Sequence, residues 1–302
     1  MVAATVAAVA FTCRPQPGLG SVAYTRAARR HVVDLGTCRD TVIGTVSARA
    51  HGIPGVTVRS TGHGKTAKQT IWFGGRSIFS ETQYYKSVGP GNTPGPIMLL
   101  RLSGDRRWLF FTIDPGSSAS IAADGLVLRV VSTRGGRVHK LGPMLVTDDR
   151  LSWCGGRLVF SGGGDRVAWH NKRLLTASPP NWRVRELVPD RGRAWGSLAC
   201  APDGGSVAVQ SQRESMDAQF SHGKWALWQI GLDGAGRQLT RPPRGSVDES
   251  PVYSGKTLFF VRTTRLHGVL YALGSGRTVG PFAWLGFNLG YYGHHLWPYT
   301  PR

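Results

Sequence analysis

The sequence predicts an all-β fold, a six-bladed β-propeller of four-stranded antiparallel blades. Three observations predict it. The chain is rich in turn formers and strand formers, with 41 Gly, 18 Pro and 10 Trp in 302 residues and aromatics at 10%. Glycine supplies positive-φ turns, and Trp and Tyr suit a pleated, half-buried surface. No long apolar stretch repeats at helical period, so few helices are expected. Finally, one strand-turn-strand pattern recurs about six times at roughly 45-residue spacing, the period of a propeller blade and not of a helix-pair solenoid.

The clearest unit runs from Trp195 to Thr240. It opens with Ser197–Ala201, turns at Pro202-Asp203-Gly204, and continues in the alternating strand Ser206–Val209. Proline pre-sets φ for the turn, Asp bonds back to the backbone and Gly takes positive φ. A third strand is expected at Trp225–Ile230, a turn at Asp233-Gly234, and a fourth strand ending at Gln238-Leu239-Thr240. The next unit opens at Asp248-Glu249-Ser250-Pro251, with strands at 257–262, 269–273 and 277–279. Toward the N-terminus, one unit opens at Arg150–Phe160 and runs to Leu187, and another spans Ile97–Leu141. A weaker copy covers about 55–85, with strands at Gln69–Phe73 and Arg76–Ser80. The first copy holds Ser21–Arg26 and His31–Leu35. A ring of such units must close. Residues near Leu289-Gly290-Tyr291-Tyr292 are expected to add a strand to the first blade.

Ala201-Pro202-Asp203-Gly204, Val207-Ala208-Val209 and Gln238-Leu239-Thr240 together resemble the repeat of the TolB-like, or prolyl-oligopeptidase-like, propeller family. Asp248-Glu249-Ser250-Pro251 is similar to that family's blade junction, and Leu102–Trp108 is a looser copy. The resemblance is strong over about 195–280 and degenerate over about 20–190. It implies fold more than function, since such propellers include periplasmic partners of a lipoprotein as well as gating domains of peptidases. The Gly-His and Trp-Asp signature of WD-repeat propellers does not occur.

Residues 1–13 read as an apolar leader, and 14–302 as a single propeller domain. Val2–Phe11 has the length of a signal-peptide core and is too short to span a bilayer. It lacks the usual basic lead-in, so either the true start lies elsewhere or the segment is not a working signal. Cys13 follows Ala10-Phe11-Thr12, a poor match to a lipoprotein cleavage box. No other segment approaches membrane-spanning length.

The formal net charge is +20, which attracts anionic polymers; scattered as it is through turns, it also describes an ordinary solvated surface. Cys13, Cys38, Cys154 and Cys200 form no CxxC pair, so spacing gives no support for zinc. Cys154 and Cys200 hold corresponding first-strand positions in adjacent units and could be bridged, while Cys13 with Cys38 is the residual pairing. Free buried thiols are the alternative.

Other motifs carry less. Gly62-His63-Gly64-Lys65-Thr66 contains a GKT string, but Arg59 stands where a phosphate loop needs Gly. No nucleophile elbow is present. Ser161–Asp165 could form an anion nest or simply a loop. Tyr291, Tyr292, His294, His295 and Trp297 form the densest aromatic cluster, a candidate binding lip whose other reading is packing of the last strand. Asp148-Asp149 and Asp248-Glu249 are the acidic pairs worth testing for a cation or acid–base work, against a role in capping turns. These observations lead to a monomeric, non-catalytic, extracytoplasmic module that binds a protein partner or an anionic envelope polymer. No catalytic residue, metal or cofactor is expected, and nucleic acid is not the expected ligand. The alternative is a lactonase-like propeller hydrolase with its site in the central channel.

Overall fold

In the computed structural model, the described residues are 13–26, 29–45, 53–62, 66–84, 97–113, 125–164, 167–189, 192–215, 225–264, 267–274, 276–287 and 296–298. They form six antiparallel sheets arranged as the blades of a propeller. The first blade holds β1 (Ser21–Arg26), β2 (Arg29–Asp34) and β3 (Arg39–Thr45); the second holds β4 (Val56–Thr61), β5 (Thr66–Phe73) and β6 (Arg76–Tyr84). The third holds β7 (Ile97–Leu102), β8 (Trp108–Ile113), β9 (Gly125–Ser132) and β10 (His139–Leu145). A 3-10 turn at Asp148–Arg150 leads into the fourth: β11 (Leu151–Cys154), β12 (Arg157–Gly162), β13 (Arg173–Ala177) and β14 (Arg185–Glu186). The fifth holds β15 (Arg193–Cys200), β16 (Ser206–Arg213), β17 (Ala226–Gly231) and β18 (Gly236–Gln238); the sixth holds β19 (Ser246–Ser254), β20 (Thr257–Thr264), β21 (His267–Gly274) and β22 (Arg277–Phe287).

The strand that closes the ring is β23 (Leu296–Pro298), which pairs antiparallel with β1 through Ala23 and Trp297. The C-terminus therefore donates it, slightly later in the chain than residues 289–292, which lie outside the described residues. The second blade shows three strands among the described residues, and the chain just before β4, where its inner strand would come, lies mostly outside them. The fourth strand of the fifth blade ends at Gln238. Beyond it Thr240 turns inward, and its Oγ1 accepts from the Leu227 amide at 3.0 Å.

The strands form where the sequence lets both faces be covered. β16 is buried along nearly its whole length and β8 through Leu109–Thr112, because each lies mid-blade between two neighbouring sheets. The core is divided between blade pairs. Phe110, Leu128 and Met144 meet Leu151, Phe160 and Trp182 between the third and fourth blades. Cys154, Val159 and Leu174 meet Trp195, Val207 and Val209 between the fourth and fifth. Val22, Tyr24 and Leu35 meet Phe259, Val261 and Leu270 across the closed seam between the first and sixth.

Two faces follow from this winding. On one face the first strand of each blade turns into the second, and the third into the fourth. These connections are short: residues 155–156, 201–205, 255–256 and 74–75. On the opposite face the second strand passes to the third and each blade passes to the next. There the strand ends are far apart in sequence, Ile113 from Gly125, Gly162 from Arg173 and Arg213 from Ala226. We call them the turn face and the loop face.

Candidate functional site

The inner strands surround a central channel with a cavity of about 230 Å3, lined among others by Arg101, Asp148, Asp149, Ser250, Tyr253 and Trp297. Three inner strands break register inside the channel: β7 between Leu99 and Arg101, β15 between Trp195 and Leu198, and β19 between Glu249 and Val252. A bulge adds a residue to one strand and re-aims the side chains beside it. At Ser250 the backbone enters the left-handed region with φ +52°, ahead of Pro251.

Both acidic pairs converge at the loop-face end of this channel. Asp149 Oδ2 accepts from the Ser197 hydroxyl at 2.6 Å, tying the fourth blade to the fifth. Asp248 is fully buried and accepts from Arg262 twice, from Nε at 2.6 Å and from Nη2 at 2.8 Å. Burial works against the Arg262 charge, but the Asp248 carboxylate outweighs it and holds the guanidinium above its ordinary value. Glu249 Oε1 accepts from the Thr263 hydroxyl at 2.6 Å. Burial pushes the Glu249 carboxyl up, and the charges of Asp149 and Asp248 add to that, against the Thr263 hydrogen bond. Arg101 lies in the wall, and its Nη2 donates to the Asp148 carbonyl at 3.3 Å. Burial pushes the Arg101 and Arg150 guanidinium groups down, only partly offset by the neighbouring aspartates. Among the described residues, no three His, Cys, Asp or Glu side chains come together so as to hold a metal ion.

At the turn-face end, Cys154 and Cys200 are joined in a disulfide that links β11 to β15, with Cα atoms 5.3 Å apart. Cys13 and Cys38 are also joined, Cα to Cα 5.8 Å. Pro202-Asp203-Gly204 makes the β15–β16 turn: Gly205 N donates to Asp203 Oδ1 at 2.9 Å, and Gly204 takes φ +70°. Trp297 lies in β23 and lines the channel. Tyr291, Tyr292, His294 and His295, the rest of the expected lip, lie outside the described residues, as do 63–65 of the GKT string and the leader up to Thr12. In the glycine run, Ser161 is buried and its hydroxyl donates to the Trp195 carbonyl, while the Gly163 amide donates to the Pro143 carbonyl at 2.7 Å. Two of these amide and hydroxyl donors are thus used in blade packing.

Comparison with solved structures fixes the fold. A putative TolB from Agrobacterium tumefaciens is similar over 93% of this chain and 98% of its own, at 13% identity and a TM-score of 0.50. The chain has the TolB-like propeller fold. Puromycin hydrolase is also similar, at 14% identity and TM-score 0.46, over 91% of this chain but 45% of that one. An oligogalacturonate lyase in complex with manganese shares 14% identity over 83% of this chain and 69% of its own, at TM-score 0.41. This TolB-like chain thus spans less than half the length of puromycin hydrolase. No protein-family model and no curated protein sequence matches it. The described residues contain no helix long and apolar enough to cross a membrane.

Sequence reasoning missed Arg101, Ser197, Tyr253 and Thr263 as channel or near-channel groups. Arg101 carried a signal: it is the one charged residue in the apolar run Ile97–Leu102.

Proposed function

We propose that this TolB-like propeller is a non-catalytic, extracytoplasmic binding module. Its ligand-facing surface is the loop face together with the central channel, and its partner is a protein or an anionic envelope polymer. The carrying observation is the asymmetry of the two faces. The turn face is made of short connections, and its longest one, residues 178–184, is filled by its own buried Trp182. The loop face carries the long connections, and loops on a rigid scaffold are where binding groups concentrate. Two disulfides support an oxidising compartment. The net charge of +20 supports an anionic partner. Salt-titrated co-sedimentation of the purified chain with insoluble cell-wall material, with DNA-cellulose alongside, tests the reading. Wall binding that survives moderate salt is expected of an envelope module. Loss of both together as salt rises means that charge acts without specificity, and the polymer is then dropped in favour of a protein partner.

One observation favours a second reading, a propeller hydrolase of the lactonase kind. Glu249 has its carboxyl pushed up by burial within reach of the Asp149 charge, an arrangement that can supply a proton donor. Hydrolysis of a simple lactone by the wild type, abolished in Glu249→Gln, would establish it.

A further inference from the structure

We infer that Arg101 anchors a carboxylate-binding site inside the channel. The inference rests on the reading of the channel as ligand-facing and names the chemistry it takes. Arg101 lines the 230 Å3 cavity and also a second, adjoining cavity of about 470 Å3; Asp148, Trp297 and Pro298 line both. The guanidinium thus stands where the two spaces meet. A guanidinium has five N–H donors set in a planar fork. Among the described residues Arg101 spends one of them, on the Asp148 carbonyl at a long 3.3 Å; the charges of Asp148 and Asp149 act on it from nearby, but no carboxylate oxygen is hydrogen-bonded into its fork. The contrast with Arg262 is direct: there both carboxylate oxygens of Asp248 fill the fork. Arg101 is a cation enclosed by protein, faced by space, and lacking the planar anion that its shape matches.

The surroundings choose among anions. Asp148 and Asp149 line the same cavity, so a doubly charged phosphate would meet two like charges, while a single carboxylate carries the least charge that still fills the fork. Ser250 and Tyr253 add polar groups on one side, and Trp297 with Pro298 offers an aromatic and apolar wall on the other. The ligand is a carboxylate attached to a compact body that packs against Trp297. A peptide's terminal carboxylate and the acid group of a uronic sugar share this chemistry.

The test uses the full chain and two matched pairs of probes, observed by saturation-transfer NMR and titration. N-acetyl-leucine is compared with N-acetyl-leucinamide, and methyl glucuronide with methyl glucoside. In at least one pair the acid is expected to bind about tenfold or more tighter than its neutral twin, the ratio that one charge-assisted pair supplies. The pair that shows the preference identifies the source. Arg101→Gln should abolish the preference, and Arg101→Lys, which keeps the charge without the fork, should reduce it. Equal binding within both pairs, no binding of either acid, or a preference that survives Arg101→Gln in a folded variant overturns the inference. If Arg101→Gln does not fold, an undiminished preference in Arg101→Lys overturns it. A carboxylate preference without wall or protein binding would leave this site standing and defeat the module reading instead.

Discussion

The two ends of the channel are fastened by different chemistry. At the turn end, β11 and β15 are joined by the Cys154–Cys200 disulfide and by backbone contact, with Gly155 and Gly204 close enough that a Cβ on Gly155 would sit 2.7 Å from the Gly204 carbonyl oxygen. None of that titrates. At the loop end, the fastening runs through carboxylates: Asp149 ties the fourth blade to Ser197 of the fifth, and within the sixth blade Glu249 holds Thr263 and Asp248 holds Arg262. A change of pH or of nearby charge therefore acts on the loop-end carboxylate pairs and leaves the Cys154–Cys200 link unchanged. This is the arrangement expected of a scaffold that presents one face to a ligand.

The comparison can be broken most severely at the Asp248–Arg262 pair. Arg262→Met leaves a fully buried carboxylate uncompensated and should cost about 3–5 kcal/mol in urea denaturation. A loss well under about 1 kcal/mol would mean that the loop end does not depend on this pair. Next comes the covalent fastening. The double substitution Cys154→Ser with Cys200→Ser should cost about 2–4 kcal/mol while the far-ultraviolet spectrum is kept. Gly155→Ala tests the close approach at this turn, where an added Cβ would also meet Leu232. Its φ of +54° and the clash with Gly204 predict a loss of about 1–3 kcal/mol, and an unchanged midpoint would remove close backbone approach from the account.

The smallest effect separates the ends by pH. Burial raises the Glu249 carboxyl in the folded chain above its unfolded value, so the fold prefers the protonated form. That contribution is complete below the ordinary carboxylate value and is lost as pH rises through the raised one. Wild-type melting temperature should fall over this window more than that of Glu249→Gln, which has no charge to gain. Parallel pH profiles would assign the shift elsewhere.

The same division decided what could be read from sequence. The turn end is local. Pro202-Asp203-Gly204 announces its turn because three adjacent residues satisfy it. The Cys154 and Cys200 sulfurs meet because the two residues occupy equivalent places in successive repeats. The loop end is non-local. Asp149 meets Ser197 across two blades, and nothing near either residue in the chain marks that meeting. Arg101 was visible as an odd residue in an apolar strand, but its direction depends on the irregularity between Leu99 and Arg101, and strand register is the level at which a pattern of period two fails. The closing strand is a related case: β1 pairs with Leu296–Pro298, while the expected residues 289–292 lie outside the described residues.

The most direct test of the two-faced account is hydrogen–deuterium exchange on the full chain, with and without solubilised wall polymer or a captured partner. The account predicts slowed exchange in 146–150 and 246–250, at the loop-face end of the channel, with the turns at 155–156, 201–205 and 255–256 unchanged. Protection confined to those turns would contradict it and move the binding surface to the opposite face.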